Sequence, residues 1–210
     1  MANPGYRHDL ACFSGADVST KSSIDGHTVQ RLHTVTEPQV RGLAELLIDC
    51  VDGGASVSFM HPLPAAKAQN FWRRAADRVA QGEIALLAAE DADGIVGTVQ
   101  LILEQPENQP HRADLSKMLV HRRVRRRGVG AALLRAAEDV ARDCGKSLLV
   151  LDTASADAER LYAKLGWQRC GVVPGFALLP QGGLCDTTFF YRTLDTGGAR
   201  GEPTPAARNS

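Results

Sequence analysis

Met118-Leu119-Val120-His121-Arg122-Arg123-Val124-Arg125-Arg126-Arg127-Gly128-Val129-Gly130-Ala131 decides how this chain is read. An apolar strand ends, an arginine-rich loop follows, and two glycines open an amphipathic helix. In that helix Val129, Leu133, Ala137, Val140 and Cys144 recur at three- and four-residue steps. A helix start presents unpaired N–H groups and the positive end of the helix dipole, which suits an anion. Gly128 and Gly130 leave the backbone open to a pyrophosphate, and Arg125, Arg126 and Arg127 add positive charge around it. The R-x-x-G-x-G pattern has no Lys-Ser/Thr as in a P-loop. It also has no third glycine and no downstream acidic residue as in a dinucleotide fold. The competing reading is a solvated basic turn whose glycines serve packing.

Working outward, the spacing predicts a first strand over Thr28–Val35. Thr36-Glu37-Pro38-Gln39 then forms a helix start, with Thr36 capping, Gln39 closing a capping box and Pro38 in the first turn. Val40, Leu43, Leu47 and Cys50 line one face of that helix, and Gly53-Gly54 ends it. A second helix follows Pro64 and stops near Gly82. Ile84–Ala89 and Ile95–Leu103 read as a hairpin turning through residues 90–94. Ala113–His121 is a further strand, Gly128–Cys144 the helix already described, and Leu148–Leu151 a short strand expected to be buried on both faces. Ser155–Leu165 is a helix stopped by Gly166, and strands Trp167–Val173 and Thr187–Thr193 complete the order β-α-α-β-β-β-α-β-α-β-β. The fold class is therefore mixed α/β rather than doubly wound. Residues 1–26 and 195–210 are expected to be flexible tails around one domain, 27–194.

The chain has 210 residues, 44% hydrophobic and 23% charged, with 24 Lys plus Arg balancing 24 Asp plus Glu. This balance gives no global reason to expect nucleic acid or an anionic membrane as partner. Five arginines within residues 122–127 suggest a nucleic-acid surface, but aromatics are only 5%. The cysteines at 12, 50, 144, 170 and 185 form no CxxC pair and have no histidine cluster, so reduced thiols and no metal are expected. There is no signal-like start and no run of roughly 20 apolar residues. The expectation is a cytoplasmic protein, monomer or homodimer.

The Arg125–Gly130 loop between strand and helix resembles that of the GCN5-related N-acetyltransferase (GNAT) superfamily over about residues 28–193. The resemblance implies a central, mostly antiparallel sheet splayed between two strands and flanked by helices. It also implies acetyl-CoA as cosubstrate, its pyrophosphate held by Arg125, Arg126, Arg127, Gly128, Val129, Gly130 and Ala131. The pantetheine arm would pair with the backbone of Met118, Leu119 and Val120. The stretches Val51–Met60, Leu151-Asp152-Thr153 and Pro174-Gly175-Phe176 look closest to tabtoxin-resistance-type acetyltransferases. Many members place Asn seven residues before the helix tyrosine, against the pantetheine. Here that position is Ser155, which also suits a helix cap.

Acyl transfer to an amine needs a proton acceptor, a polarised carbonyl and a donor for the leaving thiolate. Tyr162, in Ala158-Glu159-Arg160-Leu161-Tyr162-Ala163-Lys164-Leu165-Gly166-Trp167, sits where the superfamily's A-x-x-L-Y-x-x-x-G-F pattern has its acid. Taken without the resemblance, it reads as a core tyrosine. Asp152, at a strand end, is the first candidate base, with helix capping as the alternative. Asp114 is the second. It lies six residues before Val120 and shares its face if the strand is regular, with an edge salt bridge as the alternative. Gly54, Ser56, Phe59 and Asp152 are the expected acceptor contacts, and helix–helix packing competes for Phe59. The resulting expectation is direct acetylation of a small-molecule primary amine in a ternary complex, with toxin or antibiotic detoxification as its setting. A protein or peptide N-acetyltransferase and a non-catalytic acyl-CoA-binding module are the alternatives.

Overall fold

The computed structural model describes residues 22–24 and 26–195. Its sheet has eight strands: β1 (Ser22–Ile24), β2 (His27–Leu32), β3 (Ile84–Asp91), β4 (Gly94–Ile102), β5 (Arg112–Val120), β6 (Leu148–Thr153), β7 (Gln168–Leu178) and β8 (Leu184–Thr193). They lie in the order β1-β2-β3-β4-β5-β6-β8-β7. Neighbours are antiparallel except for β5 and β6. The helices are α1 (Glu37–Asp52), α2 (Ala65–Ala80), α3 (Val129–Asp143) and α4 (Ala156–Lys164). The mixed, mostly antiparallel architecture expected from the sequence is therefore the one observed.

Local chemistry explains these boundaries. Thr36 Oγ1 accepts from the Gln39 N–H, while Gln39 Oε1 accepts from the Thr36 N–H at 3.0 Å. This closed capping box starts α1, and such a cap contributes about 1 kcal/mol. In the β3–β4 hairpin Gly94 has φ 116, a conformation that favours glycine. Residues along β3 alternate between two cores. Ile84, Leu86 and Ala88 pack with α1 and α2, and Ala85, Leu87 and Ala89 pack with α3. Both faces are covered, so the strand reads as continuous apolar sequence.

Three expectations are corrected. Ser22–Ile24, assigned to the N-terminal tail, pairs with β2; its composition carried no strand period, and the pairing is supplied by the neighbour. The rest of the expected tails, apart from Gly26 and Asp195, lies outside the described residues. Leu148–Leu151 is not buried on both faces: Leu149 and Leu151 are buried, whereas Leu148 and Val150 on the other face are only half-buried. Cys50, Cys170 and Cys185 are free thiols as expected, whereas Cys144 is in a disulfide; distance along a sequence does not report proximity in space. Among the described residues no helix is long and apolar enough to cross a membrane.

Candidate active site

Strands β5 and β6 pair at only three positions, Arg112 with Leu148, Ala113 with Leu149 and Asp114 with Val150. Beyond Asp114 they diverge, and a cleft of about 1020 Å³ opens between them. Within this divergence β5 carries a bulge. Thr98 pairs with Leu119 and Gln100 with Ser116, so β5 holds one more residue than β4, and Lys117 adopts φ 48. An extra residue reverses the alternation of side chains. Ala113 and Leu115 accordingly join the α3-side core, whereas Leu119 joins the α1/α2-side core. Met118 and Val120 pack toward α3 and line the cleft with Leu119.

This bulge breaks the expected relation between Asp114 and Val120. The Asp114 carboxylate accepts from Arg112 and from Gln105 Nε2, and it does not line the cleft. The edge salt bridge weighed against a catalytic role is thus present. Asp152 does line the cleft, accepting from Thr187 Oγ1 at 3.3 Å.

The loop after β5 is tied down by some of its own arginines. Arg122 donates to Asp49 from its backbone N–H and from Nε at 3.0 and 2.8 Å. Burial pushes the Asp49 carboxyl up, but these bonds outweigh it and hold the group below its usual range. Arg123 pairs with Asp91, and Arg125 Nε donates to the Val120 carbonyl at 3.3 Å. Two of the five arginines are thereby anchored in structural ion pairs. Gly128 caps α3 at φ 82 and offers no side-chain cap bond. The first bond of the helix runs from the Ala132 N–H to the Gly128 carbonyl at 3.0 Å. The N–H groups of Val129, Gly130 and Ala131 therefore have no partner within the helix and are free for an anion. Arg125, Arg126, Gly128, Gly130 and Ala131 line the cleft; Arg127 and buried Val129 do not. At Gly130 a Cβ would meet Leu161 Cδ2 at 3.1 Å and Met118 Cε at 3.3 Å, so this glycine also lets α3 approach α4 and β5.

Ser155 caps α4 by accepting from the Ala158 N–H at 3.4 Å, and it also lines the cleft. Two turns further, Tyr162 is 3% exposed, with ring centroids 5.8 Å from Trp167 and 5.7 Å from Phe190. Behind it the buried Glu138 accepts from Trp167 Nε1 at 3.1 Å and pairs with Arg192 at 3.2 Å, which fixes the tyrosine's backing. Burial, and then the nearby charge of Asp152, drives the Tyr162 phenol well above its ordinary value. Its hydroxyl bonds to no described residue, and Tyr162 lines the cleft. A phenol in this position remains protonated throughout the neutral range and is available as a donor.

On the opposite side, Gly54 and Ser56 line the cleft as expected. Phe59 does not, and instead stacks edge-on against Phe71 at 5.3 Å. Ser56 Oγ donates to the Leu178 carbonyl at 3.1 Å and the His61 N–H donates to the Pro180 carbonyl at 2.9 Å. The tip of the β7–β8 hairpin is thus docked over this wall, bringing Leu179 to the cleft. Sequence reasoning missed Lys117, Arg135, Arg160 and Lys164, all in the lining. Helical spacing could have found Arg160 and Lys164, which share a face of α4. Nothing in the sequence announces the bulge that aims Lys117.

The model of the Acetyltransferase (GNAT) family matches residues 54–167, just over half of the chain. Among similar solved structures is yncA of Salmonella typhimurium with its cofactor acetyl-CoA, at 20% identity and TM-score 0.67, covering 83% of this chain and 98% of that one. A phosphinothricin acetyltransferase from Sinorhizobium meliloti in complex with acetyl-CoA has 19% identity and TM-score 0.69, covering 86% and 95%. A ribosomal-protein-alanine N-acetyltransferase from Brucella melitensis has 21% identity and TM-score 0.65, covering 79% and 99%. At these identities the likeness is one of fold.

Proposed function

Because the chain belongs to the GNAT acetyltransferase family, with acetyl-CoA as cosubstrate, we propose that it acetylates the primary amine of a small molecule by direct attack in a ternary complex. The observation that carries this reading is the β5–β6 divergence, which places free helix N–H groups, Tyr162 and Asp152 along one cleft. The N–H groups of Val129, Gly130 and Ala131, with Arg126, hold the pyrophosphate. The freed edge of β5 at Met118–Val120 faces the pantetheine arm, and Ser155 keeps a hydroxyl proton to offer it.

Asp152 accepts the proton of the acceptor ammonium, directly or through water, so that the neutral amine nitrogen can bond to the acetyl carbon. Backbone N–H groups of the bulged β5 polarise the carbonyl. As the carbon–sulfur bond breaks, Tyr162 donates its proton to the departing sulfur. The phenolate left behind is unfavourable in its buried surroundings and takes up the second proton, which the nitrogen sheds as the amide forms, so one ammonium proton ends on Asp152 and the other, through Tyr162, on the sulfur. Cys50 also lines the cleft, but burial pushes its thiol up to about 11, so it is protonated and a weak nucleophile. This supports direct transfer over an acetyl-enzyme.

The docked β7–β8 tip narrows the acceptor side, which favours a small amine over a polypeptide. A small acceptor is also what detoxification of a toxin or antibiotic would require. The test is a free-thiol release screen with acetyl-CoA and a panel of amino acids, dipeptides, aminoglycosides and polyamines. Turnover of a small amine supports the proposal. Turnover confined to peptides would replace it with the peptide reading, and tight acetyl-CoA binding with no turnover would favour a binding module.

A further inference from the structure

The β5 bulge turns Lys117 away from the α3 side and toward the wall formed by the α1–α2 connection. Its Nζ donates to Ser58 Oγ at 3.3 Å and lies 5.7 Å from the Phe71 ring centroid. Both Lys117 and Ser58 adopt left-handed backbone conformations, φ 48 and φ 75. Such conformations are unfavourable for residues with a Cβ and collect where a side chain must be aimed at a ligand. Lys117 and Ser58 face each other across the acceptor side of the cleft and both line it.

The ammonium of Lys117 is poorly compensated there. It is half-buried against an aromatic ring and forms no ion pair among the described residues. Burial lowers its pKa, while the charge of Asp152 acts in the opposite direction. Asp152 is thus near enough to be felt, yet among the described residues its one hydrogen bond comes from Thr187. A cation and a carboxylate stand in one cleft without pairing with each other. A buried charge without a counter-ion is unfavourable, and a bound anion relieves it.

We propose that Lys117, with Ser58, binds a carboxylate carried by the acceptor, so that the preferred acceptors are small amino-acid-like molecules whose amine faces Asp152. This rests on the acetyltransferase reading above. The two charges of a zwitterion meet two opposite charges of the cleft, and the Leu179 roof sets the size limit.

The test compares kcat/KM for free amino acids and their primary carboxamides, each expressed per unit of neutral amine. The wild type is expected to prefer the acid at least about tenfold. Lys117→Gln should erase this preference, and Lys117→Arg should retain part of it. Ser58→Ala provides a second, milder loss that leaves Lys117 in place. Acetyl-CoA affinity, measured by calorimetry for each protein, verifies that the site is folded. The inference is overturned if the wild type takes the carboxamide equally well, if Lys117→Gln keeps the preference, or if acetyl-CoA binds and only amines lacking a carboxylate are acetylated. Each of those outcomes leaves acetyl transfer itself intact. Failure to bind acetyl-CoA would instead remove the acetyltransferase reading and this inference with it.

Discussion

Replacing Tyr162 by Phe separates chemistry from packing at the centre of the cleft. The ring is 3% exposed and rests on Trp167 and Phe190, so Phe preserves the contacts that matter for folding. The hydroxyl bonds to no described residue. A structurally bonded hydroxyl would cost about 1 kcal/mol on removal; this one should cost under about 0.5 kcal/mol in urea unfolding. If Tyr162 donates the leaving-group proton, kcat should nevertheless fall roughly 10- to 1000-fold, or about 1.4 to 4 kcal/mol of barrier. Alkaline stability gives an independent readout. The folded phenol is raised above its unfolded value of about 10. Its contribution is therefore complete below that value and is lost as pH rises, because the unfolded chain ionises first. Tyr162→Phe should remove that alkaline loss. Stopped-flow thiol release and urea melts at neutral pH and above pH 10 would measure all three effects. A Phe variant with wild-type kcat would refute the acid role, and one that is inactive because it is unfolded would refute the packing argument.

Three further outcomes follow from the same geometry. Gly128→Val places a branched side chain at φ 82 beside the free N–H groups, and should weaken acetyl-CoA binding at least about tenfold in calorimetry; unchanged affinity in a folded variant removes the loop from the site. Asp152→Asn should lower kcat/KM without weakening acetyl-CoA binding, whereas Asp114→Asn, outside the cleft, should leave kcat close to wild type. The reverse pattern in pH–rate profiles would exchange their roles. Incubation with acetyl-CoA in the absence of an amine should leave Cys50 unmodified by mass spectrometry, because its thiol is held near 11; rapid labelling that an amine chases off would establish an acetyl-enzyme.

The loop-and-helix side of the cleft was legible because its determinants are local. A helix start, two glycines and a tyrosine on the next helix are all fixed by short-range spacing, and the capping box at Thr36 was readable for the same reason. The opposite side of the cleft depends on features that spacing does not encode. The extra residue in β5 moved Asp114 off the expected face and aimed Lys117 across the cleft. Ser56, expected to contact the acceptor, donates its hydroxyl to the Leu178 carbonyl, a partner far away in the chain. Phe59 belongs to a ring cluster with Phe71 that becomes visible only once α2 is placed. The arginines show the same limit: charge was readable, but whether each charge met Asp49, Asp91 or the cleft required the tertiary structure.

The three-residue parallel contact between β5 and β6 has a thermodynamic consequence. Strands β1–β5 and strands β6–β8 are two hydrogen-bonded ribbons joined along a short seam. A ligand lying between Met118–Val120 and Ser155–Tyr162 touches both ribbons and so acts as the fastener the backbone omits. Ligation then belongs to the cooperativity of the whole domain. At a hundredfold excess over its dissociation constant such a ligand adds about 2.7 kcal/mol to unfolding. The gain should be registered as slowed amide exchange on β5 and β6 together, and the β6–β8 ribbon should be the first unit to exchange when the cosubstrate is scarce.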